Sequence, residues 1–164
     1  MESTGEKYDE RFFNIVLVEP EIPNNTGSVG RLCVGSKSHL HLIKPMGFEI
    51  TDSRVKRAGL DYWPDLELTQ YSNFEEWLAT VKDRSRVFLF SSKASRAYHK
   101  INFQKGDWLV FGKESVGLSQ SVLSQFPEQH IIIPFPGKVR SFNLSNAVAM
   151  AIGEGLRQVS FDSD

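Results

Sequence analysis

The 164-residue chain has one cysteine, Cys33, which excludes an intrachain disulfide and any metal cluster built on several cysteines. It has no apolar run near the ~18 residues of a membrane-spanning helix. The N-terminal "MESTGEKYDERFF" also lacks the apolar segment of a secretory signal. A cytoplasmic protein without a membrane partner is expected. Charge of one sign is not in excess either: 19 Lys and Arg stand against 20 Asp and Glu, a net charge of -1. Binding to nucleic acid would therefore need a local basic patch rather than a global field. Two phosphate-binding signatures are missing as well. "FGKESVGLS" (111–119) has Gly-x4-Gly spacing, but Leu118 and Ser119 stand where a Walker loop continues Lys-Ser/Thr, and "GSVGRL" (27–32) is not Gly-x-Gly-x-x-Gly. Metal is not expected: His39 and His41 share a strand face without further ligands nearby.

What is present describes an ordinary α/β domain, 40% hydrophobic and 12% aromatic, long enough to bury a core. Residues 1–11 read as a flexible polar extension, residues 12–160 as a single domain, and "SFDSD" as a short tail. Strands are expected at "NIVLV" (14–18), "HLHLI" (39–43), "RVFLF" (86–90), "WLVF" (108–111) and "HIII" (130–133). Helices are expected through "SVGRLCVGS", capped by Asn25 or Thr26, and through "NFEEWLATVK", capped by Asn73 with Glu76 at capping-box spacing. Two more are expected over "SQSVLSQF" (119–126), capped by Ser119, and over 144–159. Short apolar strands alternating with helices imply a mostly parallel sheet with helices on both faces. Ligands of such sheets bind beyond the carboxyl ends of the strands. The polar clusters at 23–31, 91–96, 112–119 and 134–146 all follow strands.

Several residues in these loops admit a structural and a functional reading. Gly112 and Gly117 either make a tight turn or let backbone approach a flat ligand, with Glu114 between them contacting it or bracing a neighbouring loop. Arg31, flanked by Val29, Leu32 and Cys33, sits at the edge of a buried surface, where a guanidinium can bind phosphate in fork geometry. Cys33 reads as a small buried residue. Three basic groups flank the loops: Arg54, Lys56 and Arg57; Lys93, Arg96, Lys100 and Lys105; Lys138 and Arg140. Together they fit a polyanion, and Tyr62, Trp63 and Tyr98 can stack on unpaired bases, with core packing an equal reading for Trp63. In the last helix Ala147, Ala151 and Gly155 form a small-residue row, open to internal packing or to a subunit contact. "RSFNLSN" places four small hydrogen-bonding side chains, Ser141, Asn143, Ser145 and Asn146, where one cap would suffice.

"EPEIPNNTGSVGRLC", "RAGLDYW", "FGKESVGLS" and "IPFPGKVRSFNLSNAVAMAIGEGLRQ" together resemble the SPOUT class of S-adenosylmethionine-dependent RNA methyltransferases. Within that class the chain is most similar to the tRNA wobble-nucleotide 2'-O-methyltransferases of the TrmL type, and the resemblance spans residues 14–159. It implies a C-terminal trefoil knot, a homodimer and a tRNA anticodon stem-loop as substrate. It also implies methyl transfer from S-adenosylmethionine to the ribose 2'-hydroxyl of the wobble pyrimidine, with S-adenosylhomocysteine as product and no metal. By resemblance Phe90, Gly112, Ile133 and Ser141 hold the cofactor. Arg31 acts on the substrate hydroxyl, with Asn25, Glu114 and Asn143 holding its loop, and Arg54, Arg57, Lys93, Arg140 and Ser145 meet RNA. Gly153 departs from the pattern, which has Tyr before the glutamate matching Glu154. Methylation of another RNA, such as ribosomal RNA, and a non-catalytic RNA-binding module are the alternatives.

Overall fold

The structure, a computed structural model, describes residues 11–160. The expected N-terminal extension, apart from Arg11, and the tail beyond Ser160 lie outside the described residues. Six strands, β1 (Phe13–Val18), β2 (His39–Ile43), β3 (Leu68–Tyr71), β4 (Val87–Phe90), β5 (Asp107–Phe111) and β6 (His130–Ile131), form one sheet in the order β3-β2-β1-β5-β4-β6. Every ladder between them is parallel. The helices are α1 (Pro23–Gly35), α2 (Ser53–Gly59), α3 (Phe74–Leu78), α4 (Gln120–Leu123) and α5 (Leu144–Ser160).

Alternation along the strands divides the core in two. Ile15, Leu17, Leu40, Leu42, Leu109 and Phe111 pack with Val29 and Cys33 of α1 and Val148 and Ile152 of α5. Val16, Val18, Ile43, Val87, Leu89 and Val110 pack on the other face with Trp77 of α3 and Val122 of α4. Both faces of the parallel sheet are thus covered, as the sequence pattern predicts. The chain winds one way from β1 to β3 and the other way from β5, so the switch point of the topology lies between β1 and β5.

Departures from the sequence-based elements have local causes. The expected strand over 130–133 keeps only two residues, because its outer neighbour is irregular. Ile132 pairs with 96–98 instead, its N–H donating to the Arg96 carbonyl at 2.9 Å and its carbonyl accepting from Tyr98 N–H at 2.8 Å. β3 was not anticipated: "LTQY" is a partly exposed edge strand with two polar residues and no apolar run. Helix α3 starts on its predicted cap, Asn73 Oδ1 accepting from Glu76 N–H at 2.8 Å. It stops early, where the Thr80 amide and hydroxyl both donate to the Trp77 carbonyl. Helix α1 corrects a predicted cap. Pro23 is its first residue and Ile22 its N-cap, so Asn25 and Thr26 lie buried inside the helix.

The small-residue row of α5 faces inward. A Cβ on Gly155 would lie 2.5 Å from Phe13 Cζ, and Ala151 is fully buried. The outward side carries Asn146, Ala149, Met150 and Gly153. At the amino ends of the strands a polar layer closes the sheet. His39 and His41 stack at 3.9 Å, and His41 bonds Tyr71 Oη and Asn14 Oδ1, each at 2.9 Å. Arg86 donates two bonds to buried Asp107, at 2.7 and 2.6 Å.

Candidate active site

Because the strands are parallel, the segments after β1, β4, β5 and β6 emerge at one edge of the sheet, and those four strands are neighbours. Their loops are fastened to one another by hydrogen bonds that span the sequence. Glu114, in the turn after β5, accepts from the backbone N–H of Glu21 at 2.7 Å and of Ile22 at 3.2 Å. It supplies at the entrance of α1 the acceptor that no local side chain provides. The clasp is reciprocal: the Glu21 carboxylate accepts from the Ser115 amide at 2.9 Å and hydroxyl at 2.7 Å, and Lys113 pairs with Glu19 at 3.6 Å. The Ser115 hydroxyl, then its amide, hold the Glu21 carboxyl below the usual carboxylate range, with Lys113 contributing. This clasp sits at the β1/β5 switch point.

A second tie joins α1 to the segment before α5. Asn143 Nδ2 donates to Asn25 Oδ1 at 3.2 Å. Asn143 Oδ1 meanwhile accepts from the Ser145 amide and hydroxyl, at 3.0 and 2.7 Å, and from Asn146 N–H at 3.4 Å. Asn143 is therefore the cap of α5 and the link to α1 at once, and Ser145 is spent on it. Ser141 is exposed.

The turn 112–117 is tight by its own packing. A Cβ on Gly112 would lie 2.1 Å from the Gly117 carbonyl carbon and 2.2 Å from Leu118 N, and Gly117 takes φ +72. The backbone approaching Gly112 is that of the chain itself. Phe90 ends β4 stacked on Phe111 at 4.5 Å, and it shares a buried cluster with Ile133 and Leu144. Beside this apolar wall, the backbone of residues 133–142 makes no hydrogen bond within the protein among the described residues.

Arg31 stands apart from these ties. It is exposed, about two turns beyond Asn25 along α1, and its contact is the Tyr62 ring, 5.1 Å from Cζ. Of the expected RNA contacts, Arg57, Lys93 and Arg140 are exposed, while Arg54 is bound to Asp52 through Nε at 3.1 Å and Nη2 at 2.9 Å. A side chain at Gly153 would meet nothing within 4 Å. Among the described residues no group of three or more His, Cys, Asp or Glu could hold a metal ion. Sequence reasoning missed Glu21 and Ser115, which lie 94 residues apart with no spacing to betray their pairing.

Residues 13–153 match the SpoU rRNA Methylase family. The chain belongs to that family. Among curated SpoU relatives, the tRNA (cytidine(34)-2'-O)-methyltransferase of Burkholderia cenocepacia (strain HI2424) is 44% identical over 152 residues, 92% of this chain and 97% of the relative. A solved structure described as "Structural insights into the 2-OH methylation of C/U34 on tRNA" is 41% identical, with a TM-score of 0.88 over 92% of this chain and 98% of that one. The SpoU methyltransferase AviRb of Streptomyces viridochromogenes, solved with AdoMet, shares the fold at 21% identity, with a TM-score of 0.80 over 91% of this chain and 58% of that one.

Proposed function

We propose that this SpoU-family protein transfers a methyl group from S-adenosylmethionine to the ribose 2'-hydroxyl of the wobble pyrimidine in a tRNA anticodon loop. The observation that carries the reading is the pair of ties at the switch point, Glu114 to the entrance of α1 and Asn143 to Asn25. They bind the three motif-bearing segments into one unit. The residues present fit the cofactor. Phe90 and Ile133 offer an apolar wall for a purine, and the uncommitted amides and carbonyls of 133–142 offer partners for its edge. Ser141 is free beside them.

Bound there, S-adenosylmethionine supplies a methyl group already activated by its sulfonium. The chain's task is alignment, which can contribute several kcal/mol through positioning alone. Arg31 binds the phosphate next to the target ribose and polarises the 2'-hydroxyl, whose proton leaves to a phosphate oxygen or to water. Asn25, Glu114 and Asn143 keep the loops in register. Arg57, Lys93 and Arg140 present free cations to the RNA backbone, and Arg54 does so on leaving Asp52. The same reading carries a cytoplasmic homodimer and the C-terminal trefoil knot. No helix among the described residues is long and apolar enough to cross a membrane.

The test is incubation of the purified protein with labelled S-adenosylmethionine and either total tRNA or ribosomal RNA, followed by mapping of the modified nucleotide. Label on the ribose of tRNA position 34 is expected. Label confined to ribosomal RNA, or none in either pool, overturns the reading.

A further inference from the structure

A guanidinium that must meet one phosphate and one ribose gains from being held, because an arginine side chain has ~2 kcal/mol of rotamer entropy to lose. Four arginines among the described residues are held by carboxylates: Arg11 by Glu67, Arg54 by Asp52, Arg86 by Asp107 and Arg157 by Glu154. Each is fixed, and its charge is offset in the same contact. Arg31 is held differently. Among the described residues its guanidinium has neither an ion-pair partner nor a hydrogen bond, and its Cζ lies 5.1 Å from the Tyr62 ring centroid. A ring face confines the guanidinium through its quadrupole, yet it occupies none of the five N–H donors and cancels no charge.

The ring is placed by the residue beside Arg31. A Cβ at Gly30 would lie 3.1 Å from Trp63 Cζ3 and 3.2 Å from Leu66 Cδ2, so the bare surface of α1 at Gly30 lets the short 3-10 helix Leu60–Asp65 close onto it. Trp63 nests there, and Tyr62, its neighbour, is laid against the next residue of α1. Trp63 is thereby half-buried against α1, and Tyr98 meets Phe90 at a steep angle, 6.4 Å between ring centroids.

We propose that Tyr62 is a positioning residue for Arg31, orienting the guanidinium toward the RNA without neutralising it. This rests on the reading of Arg31 given above. The test compares Tyr62→Leu and Tyr62→Gln, which remove the ring, with Tyr62→Phe, which keeps it, by kcat and KM for tRNA, calorimetric affinity for S-adenosylhomocysteine, and melting temperature. The ringless variants should lose about tenfold in kcat/KM, with cofactor affinity and melting temperature unchanged, and Tyr62→Phe should restore most of the rate. Equal losses in Phe and Leu, or a wild-type rate in the ringless pair, overturn the proposal. Binding of tRNA supplies the second readout. If Tyr62 acts through Arg31, adding Tyr62→Leu to Arg31→Ala changes nothing further. A further loss in the double variant means that Tyr62 itself touches RNA, and it too overturns the proposal. Wild-type transfer by Arg31→Ala would instead refute the reading of Arg31. An inactive Arg31→Ala beside a fully active Tyr62→Leu would refute the positioning role alone.

Discussion

At Gly112 a hydrogen in place of a methyl decides whether the turn after β5 can close. The atoms a Cβ would strike, 2.1 and 2.2 Å away, are backbone, so no rotamer change relieves the clash. Gly112→Ala must open the turn, at a stability loss of about 1–3 kcal/mol. Because the turn also carries Glu114 and Ser115, the same variant should weaken S-adenosylmethionine binding at least tenfold by calorimetry. A soluble Gly112→Ala protein with wild-type melting and affinity would show that the turn does not shape the cleft. Asn143 makes the same point by economy, since one amide both caps α5 and reaches Asn25. The sequence shows that "RSFNLSN" holds more hydrogen-bonding groups than a cap needs. It does not show which of them caps, because all four have suitable chemistry and only the distances separate them.

Among the elements, five of the six strands were legible and most ends were not. "HLHLI" reads as a strand from its alternation and is β2 residue for residue. β3 escaped because a partly exposed edge strand tolerates polar side chains, which leaves no apolar run to read. The start of α1 escaped because its cap is tertiary: Glu114 arrives from a loop 92 residues away. The row Ala147, Ala151, Gly155 left two readings open, and the fold chooses the inward one through Phe13. Helix propensity alone would make Gly155→Ala stabilising by about 1 kcal/mol. The contact with fully buried Phe13 reverses the sign, since α5 must move off the sheet. A melting temperature lower by several degrees is expected, and a higher one would show that α5 does not rest on Phe13 as described.

At the scale of the whole molecule the two ends of the sheet have different work. The carboxyl ends carry the loops and their ties. Toward the amino ends lie half-buried His39 and buried His41, whose protonation opposes folding. Burial, then Arg11, lowers His39 to about 4 against the pull of Glu67, and burial, then the His39 imidazole and Arg11, lowers His41 to about 2, so both are neutral in the native state above about pH 4. An unfolded chain binds protons on these imidazoles below about pH 6.5. Between about 6.5 and 4 the unfolded state therefore holds more protons, and stability falls as the pH falls. His39→Gln should flatten the slope of unfolding free energy between pH 6.5 and 5, measured by urea titration. An unchanged slope would mean that His39 binds protons equally in the native and unfolded states.

The division of labour between cleft and guanidinium is the claim on which the rest depends. It is tested most directly by measuring cofactor affinity and methyl transfer on one preparation of Arg31→Ala. Affinity for S-adenosylmethionine within about twofold of wild type, with transfer to tRNA reduced at least a hundredfold, is the result expected. Loss of both together, or transfer that survives, would contradict it.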